Sequence, residues 1–208
     1  MKIDPAAYPF VAAAALPALV LFVLGFPYAA SALLALALAL LLFFRDPDRS
    51  CPGDPDAVFA PADGRVVLAG TPEAGAAPPG AWQQISIFLS PLDVHVNRVP
   101  LAGRVTRVEY QPGKYLPAYK GQAGVQNERN EIWIDHDGTP VVFRQITGVL
   151  VRRVVCRVRP GDRVEAGQRF GVLKFGSRID LFLPPSSQLL VSAGARVRGG
   201  ETIIARLS

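Results

Sequence analysis

The chain has 208 residues, and its charge is unevenly spread: residues 6–44 hold no Asp, Glu, Lys or Arg, so all but one of the 22 basic and all but one of the 17 acidic side chains lie outside the first 44 positions. Half of the residues are hydrophobic, which excludes an intrinsically disordered chain, and two cysteines are too few for a disulfide scaffold. A membrane-attached globular domain with a net charge of +5 remains.

The apolar stretch reads as two halves, residues 11–24 and 28–44, parted by the helix-breaking Gly25-Phe26-Pro27. At the helical rise these halves reach about 21 and about 26 Å, against a hydrocarbon core of roughly 30 Å. An α-helical membrane hairpin follows, either two short spans or a re-entrant pair, with residues 1–44 as anchor and 45–208 as a second domain. A cleavable signal peptide fits poorly, because Lys2 is offset by Asp4 and the apolar run is too long. Lys2, Arg45 and Arg49 put the flanks of the hairpin on the cytoplasmic side of the cell membrane. Cys51 and Cys156 stand alone, without a CxxC or a Cys/His cluster, so they read as free thiols in a reducing compartment, a disulfide between them being the alternative, and no metal is expected.

From Ala57 the pattern is one of short β runs broken by Gly and Pro: Gly64 to Leu68, Gln84 to Leu89, Arg104 to Tyr110, Glu131 to Ile134 and Val141 to Phe143. The fold class is mainly β, a barrel or sandwich, with residues 71–80 as a loop. Near the carboxyl end Gly161-Asp162-Arg163-Val164-Glu165-Ala166-Gly167 recurs as Gly194-Ala195-Arg196-Val197-Arg198-Gly199-Gly200. This turn–Val–turn pattern resembles the hammerhead repeats of lipoyl- and biotinyl-carrier domains. Carrier function itself is not expected, since no Lys follows either repeat at a hairpin tip.

Reactive candidates are few. Of the two histidines, His136 lies in the polar turn Asp135-His136-Asp137-Gly138 and reads as solvated. His95 lies in Ser90-Pro91-Leu92-Asp93-Val94-His95-Val96-Asn97-Arg98; on a strand, Asp93, His95 and Asn97 would share a face and line a site, a structural histidine being the alternative. Asp63, in Ala60-Pro61-Ala62-Asp63-Gly64, sits on a tight turn that opens a strand. Gly176-Ser177 interrupts an apolar segment, and a Ser hydroxyl beside an accessible Gly carbonyl is what attack on the peptide bond requires; a β-bulge is the other reading.

Taken in order, A-P-A-D-G, L-S-P-x-D-x-H, N-E-R-N (Asn127 to Asn130) and F-G-S (Phe175 to Ser177) resemble the short branch of the phosphatidylserine decarboxylase family, over a span from about Phe43 to the end. The resemblance implies a zymogen that cuts itself at Gly176-Ser177 by autocatalytic serinolysis. Ser177 is then the nucleophile and the precursor of a covalent pyruvoyl group, His95 the base and Asp63 its orienting partner. The implied products are residues 1–176 and 177–208, held together as a heterodimer, and the implied reaction is decarboxylation of phosphatidylserine to phosphatidylethanolamine in phospholipid biosynthesis. Longer members carry a second His where this chain has Arg98, and Leu-Gly-Ser-Thr where it has Phe-Gly-Ser-Arg.

Arg98, Lys114, Arg129, Arg152 and Arg153 are the basic candidates for the anionic head group, and residues 113–124 read as a mobile loop at the membrane face. The positive charge suits anionic lipid, whereas no basic helix or aromatic RNA-binding strand pair points to nucleic acid. Two rivals stay open at this point. One is the same chemistry on another serine-headed lipid such as archaetidylserine; the other is a noncatalytic membrane adaptor, which leaves Asp63, His95 and Gly176-Ser177 without a reason.

Overall fold

Asp4 decides where the first helix starts. Its carboxylate accepts from the Ala6 N–H at 2.9 Å and its own N–H reaches the Phe44 carbonyl at 2.9 Å, an N-cap that begins helical structure ahead of the apolar run. A computed structural model describes residues 2–149, 154–174 and 176–208, and the chain divides into two compact units, Met1–Asp48 and Arg49–Ser208. In the first unit β1 (Lys2–Ile3) leads through the turn Pro5–Ala7 into α1 (Tyr8–Val23). Together Pro5–Val23 is long and apolar enough to cross a membrane, by length and composition; α2 (Pro27–Phe43) is shorter. The Gly25 N–H donates to Phe22 and the Phe26 N–H to Leu21, closing α1 before Pro27 opens α2. β2 (Arg45–Asp46) pairs antiparallel with β1, so both ends of the hairpin lie side by side.

The second unit is mainly β. Its strands are β3 (Ala57–Phe59), β4 (Gly64–Gly70), β5 (Gln83–Leu89), β6 (Val96–Arg98) and β7 (Gly103–Gln111). After the short α3 (Gly121–Gln126) come β8 (Arg129–His136), β9 (Thr139–Ile146), β10 (Val154–Cys156), β11 (Arg163–Val164) and β12 (Arg169–Leu173). The chain ends with β13 (Ser177–Leu183), β14 (Gln188–Leu189), β15 (Arg196–Val197) and β16 (Ile203–Arg206). Among the described residues they form an eight-stranded sheet ordered β11-β7-β8-β9-β13-β5-β4-β15 and two three-stranded sheets, β10-β12-β6 and β14-β16-β3. The large sheet stays open at β11 and β15, so the sandwich-like alternative holds and the barrel does not close. Ile85, Ile87, Ile132, Ile134, Phe143 and Leu181 lie in its main core with Phe170, as period-two alternation predicts.

The sheet orders are palindromic, and matching bonds carry the symmetry. The Phe59 N–H donates to Pro100 at 2.7 Å as the Arg98 N–H does to Pro61 at 2.8 Å. Gly200 donates to Ala60 as Gly167 does to Val99, and Gly194 to Val66 as Gly161 does to Val105, all at 2.8 Å. Each hammerhead turn thus docks on its own strand, β11 on β7 and β15 on β4, with Val164 and Val197 in the shared core. The sequence follows suit: Pro61-Ala62-Asp63-Gly64-Arg65-Val66 matches Pro100-Leu101-Ala102-Gly103-Arg104-Val105. One copy of the unit is continuous from β6 to β12; the other is split into β3–β5 and β13–β16. The chain therefore crosses between copies twice, between β5 and β6 and between β12 and β13.

Candidate active site

The first crossover explains L-S-P-x-D-x-H. The Asp93 Oδ2 accepts from the Ser90 N–H at 2.8 Å and from its hydroxyl at 2.7 Å, and the Asp93 N–H returns to the Ser90 carbonyl at 3.0 Å. That closed turn aims the Asp93 carbonyl at His95 Nδ1, 2.9 Å away. A carbonyl only accepts, so Nδ1 holds the hydrogen and the neutral ring keeps its lone pair on Nε2. His95 is buried. The shared strand face expected for Asp93, His95 and Asn97 is not formed: β6 begins only at Val96, Asp93 belongs to the turn, and Asn97 is buried against Gln145 Nε2 at 2.8 Å. His136 is not simply solvated either, since its Nδ1 meets the Ala102 carbonyl at 2.7 Å.

At the second crossover Gly176 is left-handed, φ +68°, and Ser177 opens β13 opposite Leu89 of β5. Ser177 is fully buried, and its Oγ has no hydrogen-bond partner among the described residues. A buried hydroxyl left without a bond costs stability, on the order of 1–3 kcal/mol. Leu89, Leu173, Ile179 and Ala62 form one small apolar cluster. It joins the register partner of Ser177, the residue whose N–H donates to the His95 carbonyl at 3.2 Å, a β13 residue on the face of Ser177, and the neighbour of Asp63.

The Asp63 carboxylate has a partner at each oxygen. Its Oδ2 receives Arg49 Nη2 at 2.9 Å and its Oδ1 the Gly199 N–H at 2.8 Å, while Arg49 also binds Glu201 at 3.0 Å. The carboxylate therefore ties the A-P-A-D-G turn to the second hammerhead turn, while the Asp93 carbonyl meets the imidazole at Nδ1.

N-E-R-N supports the same centre from behind. The Asn127 side chain bonds both backbone groups of Leu116 and the Thr147 carbonyl, and the Glu128 carbonyl receives both the N–H and the hydroxyl of Thr147 at 3.0 Å. This fixes Gly148, where a Cβ would lie 2.1 Å from the Gly176 carbonyl oxygen. The carbonyl preceding Ser177 rests directly on bare Gly148 backbone.

The sequence profile of the phosphatidylserine decarboxylase family matches residues 36–205. The chain belongs to the phosphatidylserine decarboxylase family. Among curated relatives, a phosphatidylserine decarboxylase proenzyme of Chlorobaculum parvum is 42% identical over 211 residues, 98% of each chain. One of Solibacter usitatus is 44% identical over 199 residues, covering 96% of this chain and 93% of its own. A third, of Pelodictyon phaeoclathratiforme, is 48% identical over 166 residues, 80% of this chain and 78% of its own.

Within this family member the basic candidates separate. Lys114 is exposed, with Nζ on Gln126 Oε1 at 3.1 Å. Half-buried Arg129 gives Nη1 to the Val125 carbonyl at 2.7 Å, and burial followed by the Arg144 charge lowers its pKa. Arg98 is buried, donates to the Gly167 carbonyl at 3.0 Å and packs on Gly200, between the two hammerhead turns. Arg152, Arg153 and Phe175 lie outside the described residues. Sequence reasoning missed Arg49 as the Asp63 partner, Gly148 as the seat of the carbonyl, and α3, which begins inside the expected loop 113–124 and ends at Gln126. A Gly-rich six-residue helix leaves no periodic signal, and no local pattern announces a backbone contact between distant residues.

Proposed function

We propose that the chain is a self-processing proenzyme that cuts its own Gly176-Ser177 bond, converts Ser177 to a pyruvoyl group and decarboxylates phosphatidylserine to phosphatidylethanolamine. One observation carries the reading: the buried Ser177 hydroxyl, unbonded among the described residues, directly follows a left-handed Gly176 whose carbonyl is seated on Gly148. Family membership and the names of the relatives agree with it.

In the cut, Ser177 Oγ adds to the Gly176 carbonyl carbon and the peptide C–N bond breaks, so the acyl group moves from nitrogen to oxygen. His95 Nε2 takes the hydroxyl proton and returns it to the freed Ser177 amine. Loss of the Ser177 Cα proton together with the Gly176 carboxylate leaves a carbon–carbon double bond at 177, and water then displaces its nitrogen as ammonia. The surroundings suit the resulting group, because residue 177 is fully buried beside an apolar cluster. Once formed, that group would supply a keto carbonyl able to bind the substrate amine and to serve as the electron sink for loss of carbon dioxide. The buried imidazole of His95 supplies the proton that replaces the lost carboxylate, and Lys114 and Arg129 are the described cations for the phosphate or carboxylate of the head group. The hairpin of the first unit holds the enzyme at the membrane, with the second unit on the cytoplasmic side, and residues 1–176 and 177–208 stay associated.

The test is a denaturing gel with mass spectrometry on purified parent and Ser177→Ala. The parent is expected as two fragments, the smaller with an amino terminus blocked to Edman chemistry, and borohydride with phosphatidylserine is expected to fix the lipid on residues 177–208 alone. Ser177→Ala should stay whole and inactive. A parent that remains one chain, with a free serine at 177 after incubation with phosphatidylserine vesicles, overturns the reading.

A further inference from the structure

Arg178 follows the cleavage position directly and is completely buried, an unusual place for a guanidinium. Its Nε and Nη2 grip the two oxygens of Asp180, Nη2 reaches Ser86 Oγ at 2.9 Å and Glu73 Oε2 at 2.8 Å, and Nη1 lies 3.3 Å from Glu73 Oε1. Burial works against its charge, but Asp180 and then Glu73 outweigh burial, and its pKa rises. Gly124 of α3 covers the cluster with bare backbone, where a Cβ would lie 3.1 Å from Asp180 Oδ2 and 3.2 Å from Glu73 Oε2.

The ladder around it is uneven. Ser177 pairs with Leu89 on one side, whereas pairing with β9 on the other side begins only at Arg178 and Ile146. In the uncut chain residue 177 is tethered through Gly176. After the cut proposed above, on which this inference rests, it becomes a free strand end, and strand ends fray. Glu73 and Ser86 then belong to residues 1–176, while Arg178 and Asp180 belong to residues 177–208.

We infer that Arg178 is a positioning residue that clamps the newly made amino terminus onto the larger fragment, keeping residue 177 in its buried place after the covalent tether is gone. Side chains alternate along β13, so Arg178 does this from the face opposite Ser177 and leaves the reacting side clear. A lysine cannot replace it, since one ammonium cannot bracket two carboxylates and a hydroxyl as the planar fork does.

Hydrogen exchange read by mass spectrometry on the full-length protein in detergent tests the clamp. Arg178→Lys and Glu73→Gln are each compared with the parent and each repeated in the uncut Ser177→Ala background. In the cut protein, amides 178–181 are expected to exchange about ten-fold faster in Arg178→Lys than in the parent, and less so in Glu73→Gln, whose buried Arg178–Asp180 pair survives. In the uncut background the same substitutions should change exchange by about two-fold or less. Equal acceleration in cut and uncut protein would make Arg178 an ordinary core residue, and no acceleration in either would leave the ladder as the only anchor; both results overturn the clamp. Should Arg178→Lys remain uncut, Glu73→Gln supplies the comparison, and failure of both to cut overturns a role that begins after cleavage. A parent not cut at 176–177, visible in the same spectra, sinks the functional reading instead.

Discussion

Ser90 and Asp93 do for His95 what a carboxylate partner does in many catalytic pairs: they fix which ring nitrogen carries the hydrogen, here through a main-chain carbonyl 2.9 Å away. His95→Ala should slow the cut by about 10²–10⁴-fold, the usual worth of a general base, with His136→Ala like the parent. Asp93→Ala releases the turn and should also slow the cut, although the imidazole is retained. Asp63→Asn keeps an acceptor for the Gly199 N–H but loses the charge that holds Arg49, so its effect should be smaller than that of His95→Ala and similar to that of Arg49→Met. A time course of precursor loss on a denaturing gel checks all of these; an Asp63→Asn defect as deep as that of His95→Ala would put the carboxylate on the imidazole after all. His95 and Ser177 stood out in the sequence because reactive side chains are scarce, and the family resemblance gave them their expected roles. The partner of His95 Nδ1 was not legible, because a carbonyl belongs to every residue and only folding selects which one arrives.

The strands β4, β5, β7, β8 and β9 were readable because each alternates or runs apolar between Gly and Pro signals, and the sheet accepts the first four within two residues of the expected limits, while β9 runs three residues further, to Ile146. What could not be read is the polar face on the other side of that sheet. Ser86, Asp180, Arg144 and Glu131 lie in register across β5, β13, β9 and β8. The buried Arg144–Glu131 pair lies in the same row, Arg144 also binds the Ala76 carbonyl, and its guanidinium stacks 4.7 Å over Phe182. Buried charge of this kind is tolerable only when every partner is present, and pairings spanning such sequence distances leave no local trace. At Gly148 the constraint is steric. Gly148→Ala would drive a methyl into the Gly176 carbonyl, so it should cost about 1–3 kcal/mol as overpacking does and leave precursor uncut. Calorimetry of the Ser177→Ala protein with and without Gly148→Ala measures the first and a gel of the parent background the second; full cutting in Gly148→Ala would show the contact to be dispensable.

Across the whole molecule, the G-x-x-V-x-x-G repeat seen in the sequence is the visible end of a complete duplication, hidden elsewhere because β3 and β6, or β5 and β8, share pattern but little identity. The copies have diverged at the reactive end: where one has Asp63 the other has Ala102. Both crossovers between copies meet near Leu89, Leu173 and Ser177, so the proposed reacting groups stand where the chain changes from one copy to the other. A break at 176–177 therefore interrupts no strand of either copy, yet it leaves β13–β16 of the split copy on a separate fragment paired to β3, β4, β5 and β9. The consequence concerns reversibility. The precursor folds as one molecule, but the mature protein would have to refold as two, and its stability acquires a mass-action term that the precursor lacks. The melting temperature of the mature protein in detergent should rise with protein concentration while that of Ser177→Ala stays constant, and dilution after denaturation should restore only the latter. Scanning calorimetry at several concentrations decides this; equal, concentration-independent melting of both would mean that residues 177–208 are not released on unfolding. Maturation would thus make an assembly reached by a folding path that its own products can no longer retrace.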